Sequence, residues 1–247
     1  MDAWWSYRPS DLLMFSPAIY WRLFESLNRQ AWPFVAALLA SGVLVGMWWT
    51  RSAGSVQTRD DARAVSVQTI HHARAGSARG AAALMALAWL GVAWAFFWQR
   101  FAAINTAAET FAGMFLVQAF GFGLLALSPG LRWASALSLR TVCGLALGTW
   151  AVIGHPALAA LFGRPMLQAE WLGLAPDPTA LAALALLLLL DAPVQPFTRA
   201  LQRALWLLPL LWCAITSLTL WTLGEAQAGV VLALAGVALG AAALRRR

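Results

Sequence analysis

The feature that most restricts the fold is an almost uninterrupted apolar run over residues 80–127. Polar side chains break this run chiefly at one place near its middle, between Gln99 and Glu109. The run is more than twice as long as the about 20 residues that one membrane crossing needs. It therefore predicts two transmembrane helices joined by a short polar turn, and we expect the other apolar stretches to pack around this hairpin.

The composition favours an integral membrane protein. Of the 247 residues, 61% are hydrophobic and 11% are charged, whereas a soluble domain carries roughly a quarter charged residues. The net charge is +7, and all 17 basic residues are Arg. These Arg residues lie between apolar runs, where they orient a protein in the membrane. We therefore expect the lipid bilayer as partner and no nucleic acid. Without a Lys, the chain cannot form a retinal Schiff base.

Residues 32–247 are predicted to form an all-α, polytopic transmembrane helix bundle with seven spanning helices. The predicted spans cover residues 33–49, 80–98, 106–127, 133–154, 178–194, 204–222 and 226–244. The apolar part of the fifth span crosses only about 18 Å at 1.5 Å per residue. This helix must therefore continue past Asp191 toward Val194, or else it does not span.

The distribution of Arg residues predicts the orientation of the bundle. With seven spans, 12 of the 17 Arg residues share one side, whereas with six spans the split is 10 against 7. Because positive charge accumulates on the cytoplasmic side, seven helices are favoured, with the N-terminus outside and the C-terminus in the cytoplasm.

The N-terminal segment, residues 1–31, contains a predicted amphipathic helix. Ser16 and Pro17 are typical of a helix start, as N-cap and first helical residue. The apolar face is predicted to carry Tyr20, Leu23, Phe24, Leu27 and Ala31. Glu25 and Arg29 form a favourable i,i+4 pair on the opposite face. Two placements are open: the helix lies in the membrane surface, or it packs on the rest of the protein.

The only long polar segment, residues 51–79, is predicted to be a cytoplasmic loop. It carries five Arg residues and the pair His71-His72. Adjacent histidines point in different directions on a helix, and no further ligand stands at metal spacing. A solvated connector is therefore favoured over a metal site.

Two further segments have the pattern of helix starts. Residues 106–109 match a capping box, in which Thr106 caps the helix and Glu109 reaches back to it. Asp177 followed by Pro178 is typical of an N-cap and a first-turn proline. Both carboxylates thus have a purely structural interpretation.

Small and polar residues inside the predicted spans indicate helix packing. The GxxxG patterns, which allow close helix approach within or between subunits, are Gly42/Gly46, Gly144/Gly148 and Gly236/Gly240. Gln118, in the middle of a helix, is expected to hydrogen-bond a neighbouring helix. Cys143 and Cys213 are expected to act as small hydrophobes, without a disulfide or metal role.

Several stretches resemble an uncharacterised bacterial family of multi-pass inner-membrane proteins, a domain of unknown function that is sometimes loosely labelled permease. These stretches are residues 10–22, 28–33, 97–105, 173–179 and 209–212. The resemblance covers nearly the whole chain and implies a bacterial inner-membrane location. It implies no particular activity.

The candidate functional site is a polar cluster on the outer face of the bundle. We predict that it contains Gln99, Arg100, Asn105, Glu109 and His155. Glu170 and Asp177 are also predicted near the outer face, but no spacing supports a catalytic pair of His155 with Glu170 or Glu109. No ionisable residue is predicted in the middle of the membrane, which disfavours an ion-coupled pump. No haem, other cofactor or metal is expected.

Two functional hypotheses follow from the sequence. The first is a permease-like or facilitator-type transporter component with an outer vestibule at the polar cluster. The second is a non-catalytic assembly or interaction protein that uses the N-terminal helix and the GxxxG faces. A membrane-embedded enzyme is the least favoured class, because the sequence contains no nucleophile with a nearby base.

Overall fold

The computed structural model describes residues 15–31, 63–134, 138–191 and 195–244, with the backbone alone for residues 63–75. These residues are mainly helical and contain no β-strand, only isolated bridges. The α-helices that they form are 17–31 (α1), Arg63–Gly91 (α2), Ala108–Leu127 (α3), Leu139–Thr149 (α4), His155–Leu161 (α5), Pro176–Leu189 (α6), Pro196–Ala204 (α7), Leu207–Thr222 (α8) and Ala228–Ala243 (α9). The predicted first span, 33–49, and its glycines Gly42 and Gly46 lie outside the described residues.

Four helical stretches are long and apolar enough to cross a membrane. They are Gly76–Ala103, Ala108–Leu127, Leu139–Leu161 and Pro196–Thr222. Two further apolar helices, α6 and α9, are shorter. Large apolar side chains on the outside of the bundle are exposed, such as Val117 at 72% and Phe120 at 68%. Lipid-facing surfaces have this character, so the structure is compatible with a helical membrane bundle.

The hairpin predicted from residues 80–127 is present. Helices α2 and α3 pack against each other along their lengths, and the turn between them includes a short 3-10 helix at Phe101–Ala103. The third, sixth and seventh predicted spans contain α3, α8 and α9 within a few residues. The second predicted span, 80–98, lies within a longer helical stretch, because α2 starts at Arg63 and its apolar part begins at Gly76. The part of the predicted polar loop that the structure describes is therefore helical.

The capping box predicted at residues 106–109 is wrong. Helix α3 begins at Ala108, and its N-cap residue, Ala107, makes no side-chain capping bond. Instead the Asn105 side chain accepts a 2.8 Å hydrogen bond from the Ala107 backbone N–H. Asn at this position forms a local turn that competes with a Thr cap. Glu109 remains in the first helical turn, where its charge suits the helix dipole.

The fourth predicted span is shifted along the chain. Trp133 forms an isolated antiparallel bridge with Leu190, and α4 begins only at Leu139, after a capping box between Ser138 and Thr141. Helical structure then continues through α5 to Leu161. The helix starts where a side chain satisfies its free N–H groups, not where the apolar sequence starts.

A spanning fifth helix would have to continue past Asp191 toward Val194, but helix α6 stops before Asp191. It ends at Leu189, and Leu190 has an extended backbone. The Arg140 guanidinium donates hydrogen bonds of 2.7 and 2.9 Å to the carbonyls of Leu187 and Leu190. A cation on the last free carbonyls of a helix stabilises its C-terminal end.

Helix α6 forms the centre of the described bundle. Every residue from Pro176 to Leu188 is buried, and α2, α4, α8 and α9 all pack against it. A helix that is apolar on all sides is expected at such a fully enclosed position. The side chains of its first turn, including Asp177, are therefore buried inside the protein.

Two helices widen into π-helical turns near the same end of the bundle. The first covers Val92–Trp98 at the end of α2, and the second covers Trp150–Gly154 directly before α5. Such turns are rare and often occur at functional sites, because they re-aim the side chains that follow. His155 is the first residue after the second turn.

Helix α1 begins at Pro17, as predicted, with the Ile19 N–H donating to the Ser16 hydroxyl at 3.4 Å. The predicted Glu25–Arg29 ion pair is present at 2.9 Å. The apolar face packs on the protein, where Phe24 stacks on Phe96 with ring centroids 5.0 Å apart. Helix α1 thus packs on the rest of the protein through its apolar face.

The small-residue patterns in α4 and α9 differ in their surroundings. A Cβ added at Gly144 would lie 2.9 Å from the Leu189 side chain, and one at Gly148 would lie 3.6 Å from Ala185. This pair therefore allows α4 to approach α6 within one chain. Added Cβ atoms at Gly236 and Gly240 would meet nothing within 4 Å.

Gln118, Cys143 and Cys213 lie on three different helices of the bundle. The Gln118 amide donates a 2.8 Å hydrogen bond to the Leu205 carbonyl, which confirms the predicted bond to a neighbouring helical segment. Cys143 and Cys213 are free thiols.

Candidate functional site

Three ionisable side chains meet inside the bundle, and we call them the buried polar cluster: His155, Glu170 and Asp177. Their exposed fractions are 1%, 2% and 0%. Each offers a nitrogen or oxygen atom, and these atoms all lie within 4.8 Å of one another. Such groups are expensive to bury without partners, so their surroundings decide what the cluster can do.

The three residues come from three different local structures. His155 stands at the start of α5, directly after a π-helical turn. Glu170 follows the 3-10 helix Met166–Gln168 on an extended segment. Asp177 is in the first turn of α6. The loop from 162 to 175 therefore has to fold back over the bundle to bring Glu170 to the other two.

The Asp177 carboxylate is held by two donors on α8. Trp212 Nε1–H donates to Oδ1 at 2.7 Å, and the Thr216 hydroxyl donates to Oδ2 at 2.9 Å. Residues four apart share one face of a helix, so α8 presents both donors together. The predicted N-cap role of Asp177 is wrong, because the N-cap of α6 is Ala175 and Pro176 is the first helical residue.

The turn before Asp177 requires two glycines. Gly173 has a φ of +80°, in the left-handed region that favours glycine. Its N–H donates a 2.9 Å hydrogen bond to the Thr179 hydroxyl, which in turn donates to the Ala175 carbonyl at 2.7 Å. A Cβ added at Gly91 would lie only 2.8 Å from the Gly173 carbonyl oxygen. The close contact between α2 and this turn fixes the position of Asp177.

His155 and Glu170 are adjacent but poorly hydrogen-bonded. His155 Nε2 lies 3.4 Å from Glu170 Oε2, near enough for charge attraction but without the alignment of a hydrogen bond. Both ring nitrogens of His155 and the Glu170 Oε1 atom have no hydrogen-bond partner. Most buried polar atoms are paired, so these three donor or acceptor atoms are available to a ligand.

Arg164 is the cation next to the cluster. Its guanidinium carbon lies 3.4 Å from the centre of the Trp21 ring, and Nη2 donates a 2.7 Å hydrogen bond to Gln227. Burial lowers the pKa of the Arg164 guanidinium, while the carboxylates of Glu170 and Glu225 act in the opposite direction. Arg164 is thus electrostatically linked to the cluster, and its Nε atom is buried without a hydrogen-bond partner.

Helix α1 covers this end of the bundle. Trp21 Nε1–H donates to Glu225 at 2.9 Å, and the Asn28 amide donates to the carbonyls of Leu167 and Ala169 at 2.7 and 2.8 Å. These contacts tie α1 to the loop that carries Glu170. The packed helix therefore limits the access of water to the cluster from this side.

Tyr20 is an α1 residue that interacts electrostatically with the cluster. It is 3% exposed. Burial raises the pKa of its phenol well above the usual value, and the nearby carboxylates of Asp177 and Glu170 raise it further. A hydrogen bond with Thr216 acts in the opposite direction. The phenol consequently stays protonated, and it can donate or accept a hydrogen bond.

A partly enclosed cavity of about 110 Å³ lies next to these residues. Its aromatic walls include Phe15, Phe96, Phe101 and Phe111. Its polar lining consists of Tyr20, Asn105, Trp212, Thr216 and Thr219. Three of these residues, Tyr20, Trp212 and Thr216, also surround the Asp177 carboxylate, so they connect the cavity to the buried polar cluster.

Packed aromatic rings hold the shared wall in place. The Trp212 ring contacts Phe97, Phe111 and Phe115 edge-on, with centroids 5.2 to 5.5 Å apart. Edge-to-face contacts of this kind add to the energy of burial. They orient the indole so that its N–H points at Asp177.

The outer-face cluster predicted from the sequence is only partly recognisable. The Arg100 guanidinium bonds the Gln30 side chain at 2.6 Å and the Ala95 carbonyl at 2.5 Å. Gln99 and Glu109 are exposed. Within the part of the chain that the structure describes, no hydrogen bond or ion pair joins His155 to any of the other predicted site residues, and its neighbours are Glu170 and Asp177.

The sequence predicts Glu170 and Asp177 at the same end of the bundle as His155, but not in a site. The sequence gives no support for a pair of His155 with Glu170, because the 14 residues between them create no periodic spacing. One signal was present: both carboxylates stand in apolar, Trp- or Pro-flanked segments without an adjacent basic residue. Isolated acidic residues in such surroundings are candidates for burial.

Comparisons of the chain with protein-family models, with curated proteins and with solved structures found no match.

Proposed function

We propose that this protein is a permease-like transporter of the bacterial inner membrane, in which the cavity receives a small solute and the buried polar cluster carries protons. The proposal retains seven spans, with the N-terminus outside and the C-terminus in the cytoplasm. Four long apolar helices and the distribution of Arg residues support this membrane arrangement.

The observation that carries the proposal is the burial of His155, Glu170 and Asp177 at the head of the fully enclosed helix α6. Ionisable side chains inside a membrane bundle are costly and typically mark substrate, ion or proton pathways. The sequence predicts no ionisable residue in the middle of the membrane, and these three residues lie at one end of the bundle. Their burial supports a proton pathway that begins at this end.

The neighbouring cavity also supports the proposal that a small solute binds inside the protein. Its volume of about 110 Å³ suits a small solute or a few water molecules. Aromatic walls with a few polar groups are typical of sites for small amphipathic molecules. Because Thr216 bonds Asp177 and also lines the cavity, a solute in the cavity can alter the protonation of the cluster through this hydroxyl.

Proton flux into liposomes tests the proposal. Purified protein is reconstituted into vesicles that contain a pH-sensitive dye, and a potassium gradient with valinomycin drives protons inward. Flux is measured alone and with mixtures of sugars, amino acids and organic acids added outside. We expect flux above that of empty vesicles and at least a tenfold reduction in the Asp177→Asn variant.

The Glu109→Gln variant separates the two site hypotheses. Glu109 belongs to the outer-face cluster predicted from the sequence, but it is exposed and does not line the cavity. Retained flux in this variant supports the buried polar cluster as the working site. Loss of flux in Glu109→Gln with normal flux in Asp177→Asn would place the site on the outer face instead. Folded protein without flux under any condition would refute transport.

The alternative is an assembly or interaction protein, and one observation favours it. The exposed glycines Gly236 and Gly240 leave one face of α9 open to close approach by another helix. A stable complex that forms through this face, together with the absence of flux, would support this alternative.

A further inference from the structure

The buried polar cluster combines two carboxylates with one imidazole, all at most 2% exposed. The adjacent guanidinium of Arg164 is directed to Trp21 and Gln227. Buried carboxylates without a direct cationic partner are costly, and a cation bound between them would lower this cost.

Unpartnered atoms inside the cluster identify where such a cation would bind. Both ring nitrogens of His155 and the Oε1 atom of Glu170 are buried without a hydrogen-bond partner. The Asp177 oxygens each accept one hydrogen bond, although an ionised carboxylate has about four lone-pair positions. All three residues therefore retain lone pairs for a metal ion.

The spacing of the ligand atoms agrees with binding to one ion. Two ligands bound tetrahedrally at about 2.1 Å lie about 3.4 Å apart, and His155 Nε2 lies 3.4 Å from Glu170 Oε2. The ligand atoms of the three residues all lie within 4.8 Å of one another. Closure around a tetrahedral ion therefore requires side-chain movements of at most about 1.4 Å.

We propose that His155, Glu170 and Asp177 bind one divalent transition-metal ion of the Zn²⁺ class. One imidazole and two carboxylates form a donor set typical of Zn²⁺, Mn²⁺ or Fe²⁺, whereas Mg²⁺ and Ca²⁺ prefer oxygen donors alone. The inference concerns binding and does not depend on the proposed transport.

The surroundings of the cluster suit a metal site. Trp212 and Thr216 fix the Asp177 carboxylate through hydrogen bonds, the role that outer-sphere donors play at metal centres. Three protein ligands leave a fourth position open to water or solute, as in zinc sites that are not purely structural.

Metal content and affinity test the proposal with Zn²⁺ itself as the probe. Detergent-solubilised full-length protein is stripped with chelator, loaded with Zn²⁺ and desalted, and bound zinc is measured by mass spectrometry. A chromophoric chelator in competition gives the affinity. We expect one Zn²⁺ per chain, with the affinity of the His155→Gln and Glu170→Gln variants reduced at least 100-fold.

The chain offers a matched control, because it contains only three histidines. A variant with both His71→Gln and His72→Gln should keep full affinity, whereas loss in this variant alone would place the zinc in the polar segment and overturn the proposal. Wild-type protein that binds no zinc would also overturn it.

A measurement on the wild-type protein covers the case in which the cluster variants do not fold. X-ray absorption of the zinc-loaded protein counts imidazole ligands directly. One imidazole with additional oxygen ligands supports the buried polar cluster. Two imidazole ligands would contradict the proposal, because the cluster contains only one histidine.

Discussion

Replacing Trp212 with Phe tests how strongly the buried Asp177 carboxylate depends on its donors. The substitution removes the 2.7 Å hydrogen bond from the indole N–H. A bond to a charged group contributes about 1.5–3 kcal/mol, and the void left by the smaller ring adds about 1 kcal/mol. We therefore expect a loss of about 3 kcal/mol in the free energy of unfolding.

This loss is large enough to measure by thermal unfolding in detergent. For a chain of this size, 1 kcal/mol corresponds to about 2–4 °C in the unfolding midpoint, so Trp212→Phe should lower the midpoint by about 6–12 °C. Circular dichroism in chelator-containing buffer follows the loss of helix without interference from bound metal. Trp221→Phe is the matched control, because Trp221 is on the same helix and 64% exposed. It should shift the midpoint by less than about 2 °C.

A double-mutant cycle isolates the hydrogen bond from the packing effect. In the Asp177→Asn background, Trp212→Phe should cost at least about 1 kcal/mol less than in the wild type, because contacting residues couple by about 0.5–3 kcal/mol. An equal cost in both backgrounds would refute the reasoning. It would show that Trp212 stabilises the protein by packing alone.

The remaining predictions concern packing, ionisation and a helix end. Gly144→Ala should destabilise the protein by about 1–3 kcal/mol because it overpacks a close helix contact. Gly236→Ala should be neutral or stabilise by up to about 1 kcal/mol. Equal effects of the two substitutions in thermal unfolding would contradict the close packing of α4 on α6. Tyr20 should stay protonated near pH 10, where a free tyrosine is half ionised, because burial raises its pKa. In the Tyr7→Phe variant Tyr20 is the remaining tyrosine, and its absorbance titration should show almost no tyrosinate near pH 10. Since only the unfolded state releases the Tyr20 proton in this range, stability should fall as the pH rises above about 10, and this fall should be weaker in Tyr20→Phe. Arg140→Met removes the donor to two carbonyls at the end of α6. It should lower the free energy of unfolding by about 1–3 kcal/mol and the unfolding midpoint by several degrees. An unchanged midpoint would mean that water replaces the guanidinium.

The apolar pattern predicted where most helices lie, because burial of apolar surface depends on composition and length. The hairpin over residues 80–127 is present, and α8 and α9 lie where their apolar runs do. The pattern predicted helix ends less well. Helix α4 starts at its Ser138 cap, and α6 ends where Arg140 binds its carbonyls. The start of α4 depends on a local side-chain cap and the end of α6 depends on a contact with a distant residue, and hydropathy encodes neither.

The candidate site could not be predicted in the same way. The sequence placed His155 among the outer-face residues, and it gave no reason to join His155 to Glu170 and Asp177. These residues come together only because the loop between α5 and α6 folds back and α1 covers it. The Asp177 donors, Trp212 and Thr216, come from yet another helix.

The sequence by itself therefore determined that this chain forms apolar helices suited to a membrane. Local physical rules are sufficient for this, because chain composition and residue spacing decide which segments become apolar helices. The tertiary structure alone decided that His155, Glu170 and Asp177 form one buried polar cluster. The physical reason is that their proximity depends on the packing around α6, which brings together side chains that are separated in sequence and share no periodicity.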